Sequence, residues 1–111
     1  MSNFNATLTD LVIANGGTNS RTVEAVKETA DANLIGIIAP ATLPETVLIQ
    51  VSHDGTTFAT LNNGTSDVAA PTAGKAGVYD QLVFPYWRLQ ATGAVAADRT
   101  FKVSKNYLAE R

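Results

Sequence analysis

His53 is the only imidazole in the chain, and Asp54 follows it directly. A base oriented by a carboxylate is what would activate a serine for nucleophilic hydrolysis. The setting speaks against that chemistry, because His53-Asp54-Gly55-Thr56 is turn material between two strand-like runs. Asp54, Asp67, Asp80 and Asp98 are the carboxylates on which a glycosidase pair or a calcium site would draw. All four stand in turns, where an aspartate bonds its own backbone, and no spacing sets two of them at working distance. Cysteine is absent, which removes disulfides and thiolate metal sites. Asn15-Gly16-Gly17-Thr18 lacks the Lys-Ser/Thr pair of a phosphate loop, and Lys75 stands alone after Gly74. The residues imply no catalytic group, no metal and no cofactor.

Binding chemistry is little better served. A net charge of −2 offers no basic footprint for nucleic acid. Tyr86, Trp87 and Arg88 have the types of a base-stacking platform, but one core tryptophan with strand-face neighbours is the stronger reading. Phe84, Tyr86 and Trp87 crowd one strand entrance, where they form either a core with its rim or a glycan contact. The longest apolar run, Leu34-Ile35-Gly36-Ile37-Ile38-Ala39-Pro40, is too short to cross a bilayer. Met1 to Thr7 shows neither a basic nor an apolar leader region, so the chain reads as made in a cytoplasm.

The elements that position these residues follow from regular punctuation. Turn signals at 15–17, 40–44, 53–55, 62–64, 71–74, 80–85 and 93–98 bound short runs rich in Val, Ile, Thr and aromatics. Val47, Ile49 and Val51 alternate with Leu48, Gln50 and Ser52. Trp87, Leu89 and Ala91 alternate with Tyr86, Arg88 and Gln90, and Phe101 and Val103 with Lys102 and Ser104. Period two of this kind marks half-buried strands. Asp54-Gly55 between two such runs is a hairpin signal. The spacing predicts strands over about 4–13, 21–27, 33–39, 45–52, 56–62, 74–80, 85–92 and 98–106. Residues 22–32 also carry helical spacing at Val23, Val26 and Ala30, with a strand over 22–27 favoured by the β-rich remainder. The expectation is an all-β, eight-stranded antiparallel jelly-roll-like sandwich, a single domain over 1–111.

Charge is the unusual quantity. Only 16% of residues are charged, against about 25% in an ordinary globular domain. Seventeen alanines and fourteen threonines fill the difference. Such a surface packs well against another chain, yet an all-β protein also places threonine on exposed strand faces. Composition leaves both explanations open.

Four stretches carry a resemblance. They are Leu11-Val12-Ile13-Ala14-Asn15-Gly16-Gly17-Thr18, residues 35–43 (IGIIAPATL), residues 46–61 (TVLIQVSHDGTTFATL), and Phe84-Pro85-Tyr86-Trp87-Arg88-Leu89-Gln90 followed by Arg99-Thr100-Phe101-Lys102-Val103. Together they resemble the small β-sandwich proteins encoded among the head genes of tailed bacteriophages, the capsid cement or decoration proteins. The Ser-x-Asp-Gly and aromatic-Arg rhythm is similar to that of galactose-binding-like sandwiches as well. The phage resemblance implies a non-enzymatic virion protein on the outer capsid surface, a homotrimer that bridges neighbouring major capsid subunits, with no nucleic-acid or membrane partner. Residues 1–7 and 105–111 would then be interaction arms, with Ser2, Asn3, Phe4, Asn5, Tyr107 and Leu108 making contact and loop 62–73 next in line. The alternative is a carbohydrate-binding or host-attachment sandwich on the virion, with Tyr86 and Trp87 touching the glycan.

Overall fold

Alternating apolar residues need a second apolar face to cover them, and this chain supplies two sheets that cover each other. The computed structural model describes residues 3–24, 34–79 and 84–109. Its strands are β1 (Asn3–Ile13), β2 (Val23–Glu24), β3 (Leu34–Ile38), β4 (Val47–Ser52), β5 (Ala59–Thr60), β6 (Ala76–Tyr79), β7 (Tyr86–Ala91) and β8 (Arg99–Ala109). One sheet has the order β1-β8-β3-β6 and the other β2-β7-β4-β5.

All pairings are antiparallel, and four of them are nested: β1 with β8, β2 with β7, β3 with β6, and β4 with β5. The chain is thus one long ribbon doubled back at the β4–β5 turn. Rolling that ribbon brings β8 onto β3 and β7 onto β4, which splits it into two facing sheets. This is the jelly roll.

The inward residues follow the alternation. Leu11, Ile13, Val23, Ile35, Ile37, Val47, Ile49, Val51, Trp87, Leu89, Phe101 and Val103 are buried between the sheets. Trp87 and Phe101 are the two largest fully buried side chains. The indole N–H of Trp87 finds no acceptor among the described residues.

β2 starts later and β5 ends earlier than the sequence suggests, and the reasons are local. Residues 18–20 already run along β7, with the N–H of Ala91 donating to Thr18 O at 2.7 Å and that of Ser20 to Leu89 O at 2.9 Å. The Leu89 N–H then goes to Ser20 Oγ, also at 2.9 Å, so a side chain replaces a carbonyl and the ladder breaks before β2. Residues 25–33 lie outside the described residues, and with them the alternative of helix or strand at 25–32. Strand β5 ends early because the chain turns at 62–67 and returns. Val68 and Ala70 then take over the edge of β4, with Ile49 N–H donating to Val68 O and Ala70 N–H to Val47 O.

Arg99 opens β8 on the inward parity of Phe101 and Val103, at one end of the sandwich. Its Nε and Nη2 donate to the two oxygens of Glu45 at 3.1 and 3.2 Å, and Nη1 reaches Thr42 O at 3.4 Å. The guanidinium holds the Glu45 carboxyl below its ordinary value. A buried cation is kept there because its partner sits in the connection between β3 and β4, which it ties down.

Truncating the central ring tests this packing. Trp87→Ala should cost about 3–5 kcal/mol of unfolding free energy. Trp87→Phe should cost well under half of that, since it also removes a buried donor with no acceptor. Urea unfolding of both variants measures the difference, and equal losses would contradict it.

Candidate functional site

The residues with chemistry-bearing types meet at the β4–β5 end. Val51, Ser52, His53, Asp54, Thr57, Ala59 and Phe84 line an open pocket of about 250 Å³. Ser52 closes β4 and is 4% exposed. Its hydroxyl donates to Asp54 Oδ1 at 3.0 Å and accepts the N–H groups of Asp54 at 3.2 Å and Gly55 at 2.9 Å. Asp54 Oδ1 accepts two further N–H groups, from Thr56 and Thr57, each at 2.8 Å. Those backbone donors, Thr57 first, pull the Asp54 pKa down to about 2. Gly55 takes φ 80° and sits over the ring of Tyr86, whose Cε1 would lie 3.4 Å from an added Cβ.

His53 is exposed and turns its ring edge-on to Phe84, with centroids 6.0 Å apart at 78°. Among the described residues, no hydrogen bond joins it to Ser52 or Asp54. The structure brings serine, histidine and aspartate together, but the serine proton already goes to Asp54. Ser52-His53-Asp54-Gly55 is a backbone clamp. Asp67 accepts from the Asn62 side chain, Nδ2, across the 62–67 turn, whereas Asp98 accepts the N–H of Asn15 and so ties its turn to the one after β1 instead of bonding its own backbone. Asp80 lies outside the described residues.

The aromatic entrance divides into core and rim. Trp87 is 1% exposed, so its ring has no face left for a sugar, and the glycan contact expected of it is corrected to a core role. Tyr86 and Phe84 are half-buried around it. Sequence reading missed the polar ladder on the outer face of β4 and β7. Arg88 Nε donates to Gln50 Oε1 at 2.8 Å, Gln50 Nε2 to Gln90 Oε1 at 2.8 Å, and Gln90 Nε2 to Asn19 Oδ1 at 3.1 Å. The Arg88 guanidinium also lies 3.9 Å over the Phe58 ring, a cation–π contact. Only cross-strand register, which alternation does not encode, puts these side chains in line.

The opposite sheet carries a different surface. Ile35 and Ile37 point inward, so Gly36 and Ile38 face out, and the register sets Ile38 beside Lys102 and Ala76, and Gly36 beside Ser104 and Val78. Val12, Ile38 and Val78 are 40%, 49% and 68% exposed on three strands of this face. The one ion pair described there is Lys102 with Asp10 at 3.1 Å, across β8 and β1. A Cβ on Gly36 would meet nothing closer than Ser104 O at 3.8 Å. The fold therefore does not require glycine there, and it leaves the face flat between its apolar residues.

The expected arms lie at the far end of this sheet. The register places Asn3 opposite Ala109, Phe4 opposite Leu108 and Asn5 opposite Tyr107, so the two ends pair with each other as strand. Ser2 is outside the described residues. Loop 62–73 is closed by Asn62 and Asn63, whose side-chain oxygens accept the N–H groups of Gly64, Thr65 and Ser66.

No protein-family model matches the chain, and no curated protein matches it in sequence. Among solved structures, SPBc2 prophage-derived protein YomS is similar, with a TM-score of 0.60 over 91% of this chain and 94% of that one. The two share a fold. Their sequences are 8% identical, so the likeness is one of fold alone.

The clamp yields two measurable consequences. Ser52→Ala leaves two N–H groups without their acceptor and should cost about 1–3 kcal/mol in urea unfolding. The Asp54 carboxylate contributes fully above the ordinary aspartate value of about 4, and the contribution fades as pH falls toward 2. Asp54→Asn should flatten the stability profile between those limits. A profile identical to that of the parent would refute the clamp.

Proposed function

We propose that this chain is a non-enzymatic structural protein of a phage virion, which docks on the outer capsid surface and bridges neighbouring capsid subunits. The observation that carries it is the outer face of the β1-β8-β3-β6 sheet. Val12, Ile38 and Val78 stand exposed on it around a glycine that the fold does not need, with one neutralised ion pair. A face of this kind stabilises more when covered than when wet. Docking of many copies makes a weak patch sufficient, since multivalent contact multiplies affinity.

Two further points support the reading. The fold is similar to that of a prophage-derived protein, and strand and turn patterning resembles that of phage cement proteins over nearly the whole chain. The pocket at the β4–β5 end supports hydrolysis poorly, because Ser52 and Asp54 are committed to the turn.

Co-sedimentation with assembled heads of the phage that encodes the chain tests the proposal. The parent protein should pellet with heads and raise their resistance to heat. Val78→Lys and Ile38→Glu, both on the exposed face, should fold normally and bind at least about tenfold more weakly. Heads that neither retain the protein nor gain heat resistance would overturn it, as would undiminished binding by both variants.

A further inference from the structure

We infer that β1 pairs edge to edge with β1 of a second copy, antiparallel across a two-fold axis. Among the described residues the two sheets end in four edges, β1, β6, β2 and β5. β5 has two residues, and the described parts of β2 and β6 have two and four. Short edges are one way in which a sheet avoids recruiting a foreign strand. β1 has eleven residues.

Bulge, proline and glycine are missing from β1 too. Its ladder with β8 runs unbroken from Asn3 opposite Ala109 to Ile13 opposite Arg99, so no bulge twists the strand away. Its sequence holds no proline, no glycine and a single charge. That charge, Asp10, is neutralised by Lys102 at 3.1 Å. In an antiparallel edge strand every second residue turns its N–H and C=O away from its partner. Among the described residues, no backbone group bonds to that side of β1. Arg21 Nη2 reaches the strand at Thr9 Oγ1, at 3.1 Å, and that bond is to a side chain.

A second copy is the occupant that fits. An edge of this length is satisfied only by another of similar length, and the described edge of this chain that qualifies is β1 itself. Antiparallel pairing of β1 with β1 uses the same surface on both subunits and closes after two. The three-fold assembly implied by the phage resemblance would set β1 against a different edge of the next copy. The described parts of the edges on offer there have two to four residues, against eleven in β1. A net charge of −2 per chain adds little repulsion between copies. The inference concerns the isolated protein and stands apart from docking on a capsid.

The cysteine-free chain allows a direct test. Single cysteines are placed at Ala6, Thr7, Leu8, Thr9, Asp10 and Val12 in turn, with Val78→Cys on the β6 edge as a control. Facing residues of an antiparallel pair have Cβ atoms about 4.5–5.5 Å apart. Oxidation should therefore link dimers best at one β1 position, fall away two residues to either side, and leave the Val78→Cys variant monomeric. Light scattering of the parent should give twice the chain mass of 11.7 kDa. A mass of one or three chains would overturn the inference, as would cross-linking that is uniform along β1 or strongest at the β6 edge.

Discussion

The fold depends on β8 and its two ladders. It pairs with β1 on one side and with β3 on the other, so the sheet β1-β8-β3-β6 has no continuity without it. Its inward residues supply both the buried ring of Phe101 and the cation of Arg99. Its outward Lys102 neutralises Asp10. Because β8 closes the chain against β1 and the strands between are nested inside that pair, most contacts join residues far apart in sequence. Loop closure must precede much of the stabilisation, which is the property of slow-folding β topologies.

What the sequence made legible was whatever depends on period and punctuation. The alternation around Trp87, Leu89 and Ala91 places those residues inside, and it does so because one face of β7 meets the other sheet. Six strands stand within their expected spans, β1 and β8 overrun theirs to Asn3 and Ala109, and the order is that of a jelly roll. What stayed hidden depends on neighbours across the sheet. Gln50 and Ser52 share the polar parity of β4 yet are buried, because Arg88, Gln90 and the Asp54 turn cover them. Asp54-Gly55 signals a hairpin, but here it closes a longer loop, since Ser52 and Asp54 bond four N–H groups between them. The unbroken length of β1 was half visible, in that proline and glycine are missing from it. Its standing at a sheet edge followed only from the strand order.

The candidate surface was less legible than the core for a related reason. Ile38 and Val78 sit in runs that read as buried strand, and nothing local says which of two apolar parities turns outward. Packing decides it: Ile35 and Ile37 go under Phe101 and Val103 in the core cluster, so Gly36 and Ile38 are left outside. An outward isoleucine is ordinary when single. Here it shares a face with Val12, Val78 and an unforced glycine, and the charges beside them, Lys102 and Asp10, neutralise each other.

Low charge can now be located. The charges that the structure describes are largely engaged in holding the fold: Arg99 and Glu45 brace one end, Asp54 clamps the opposite turn, Asp98 caps Asn15, and Arg88 lies on Phe58 above Gln50. An ordinary threonine-rich sandwich would scatter its remaining charges over both exposed sheet faces to stay soluble. This one carries the Lys102–Asp10 pair on the outer face of one sheet and Arg88, within a hydrogen-bonded polar ladder, on the other. What differs between the faces is the exposed apolar residues, Val12, Ile38 and Val78, which stand on the first. Threonine propensity accounts for low charge on both sheets alike, and it does not account for that apolar asymmetry.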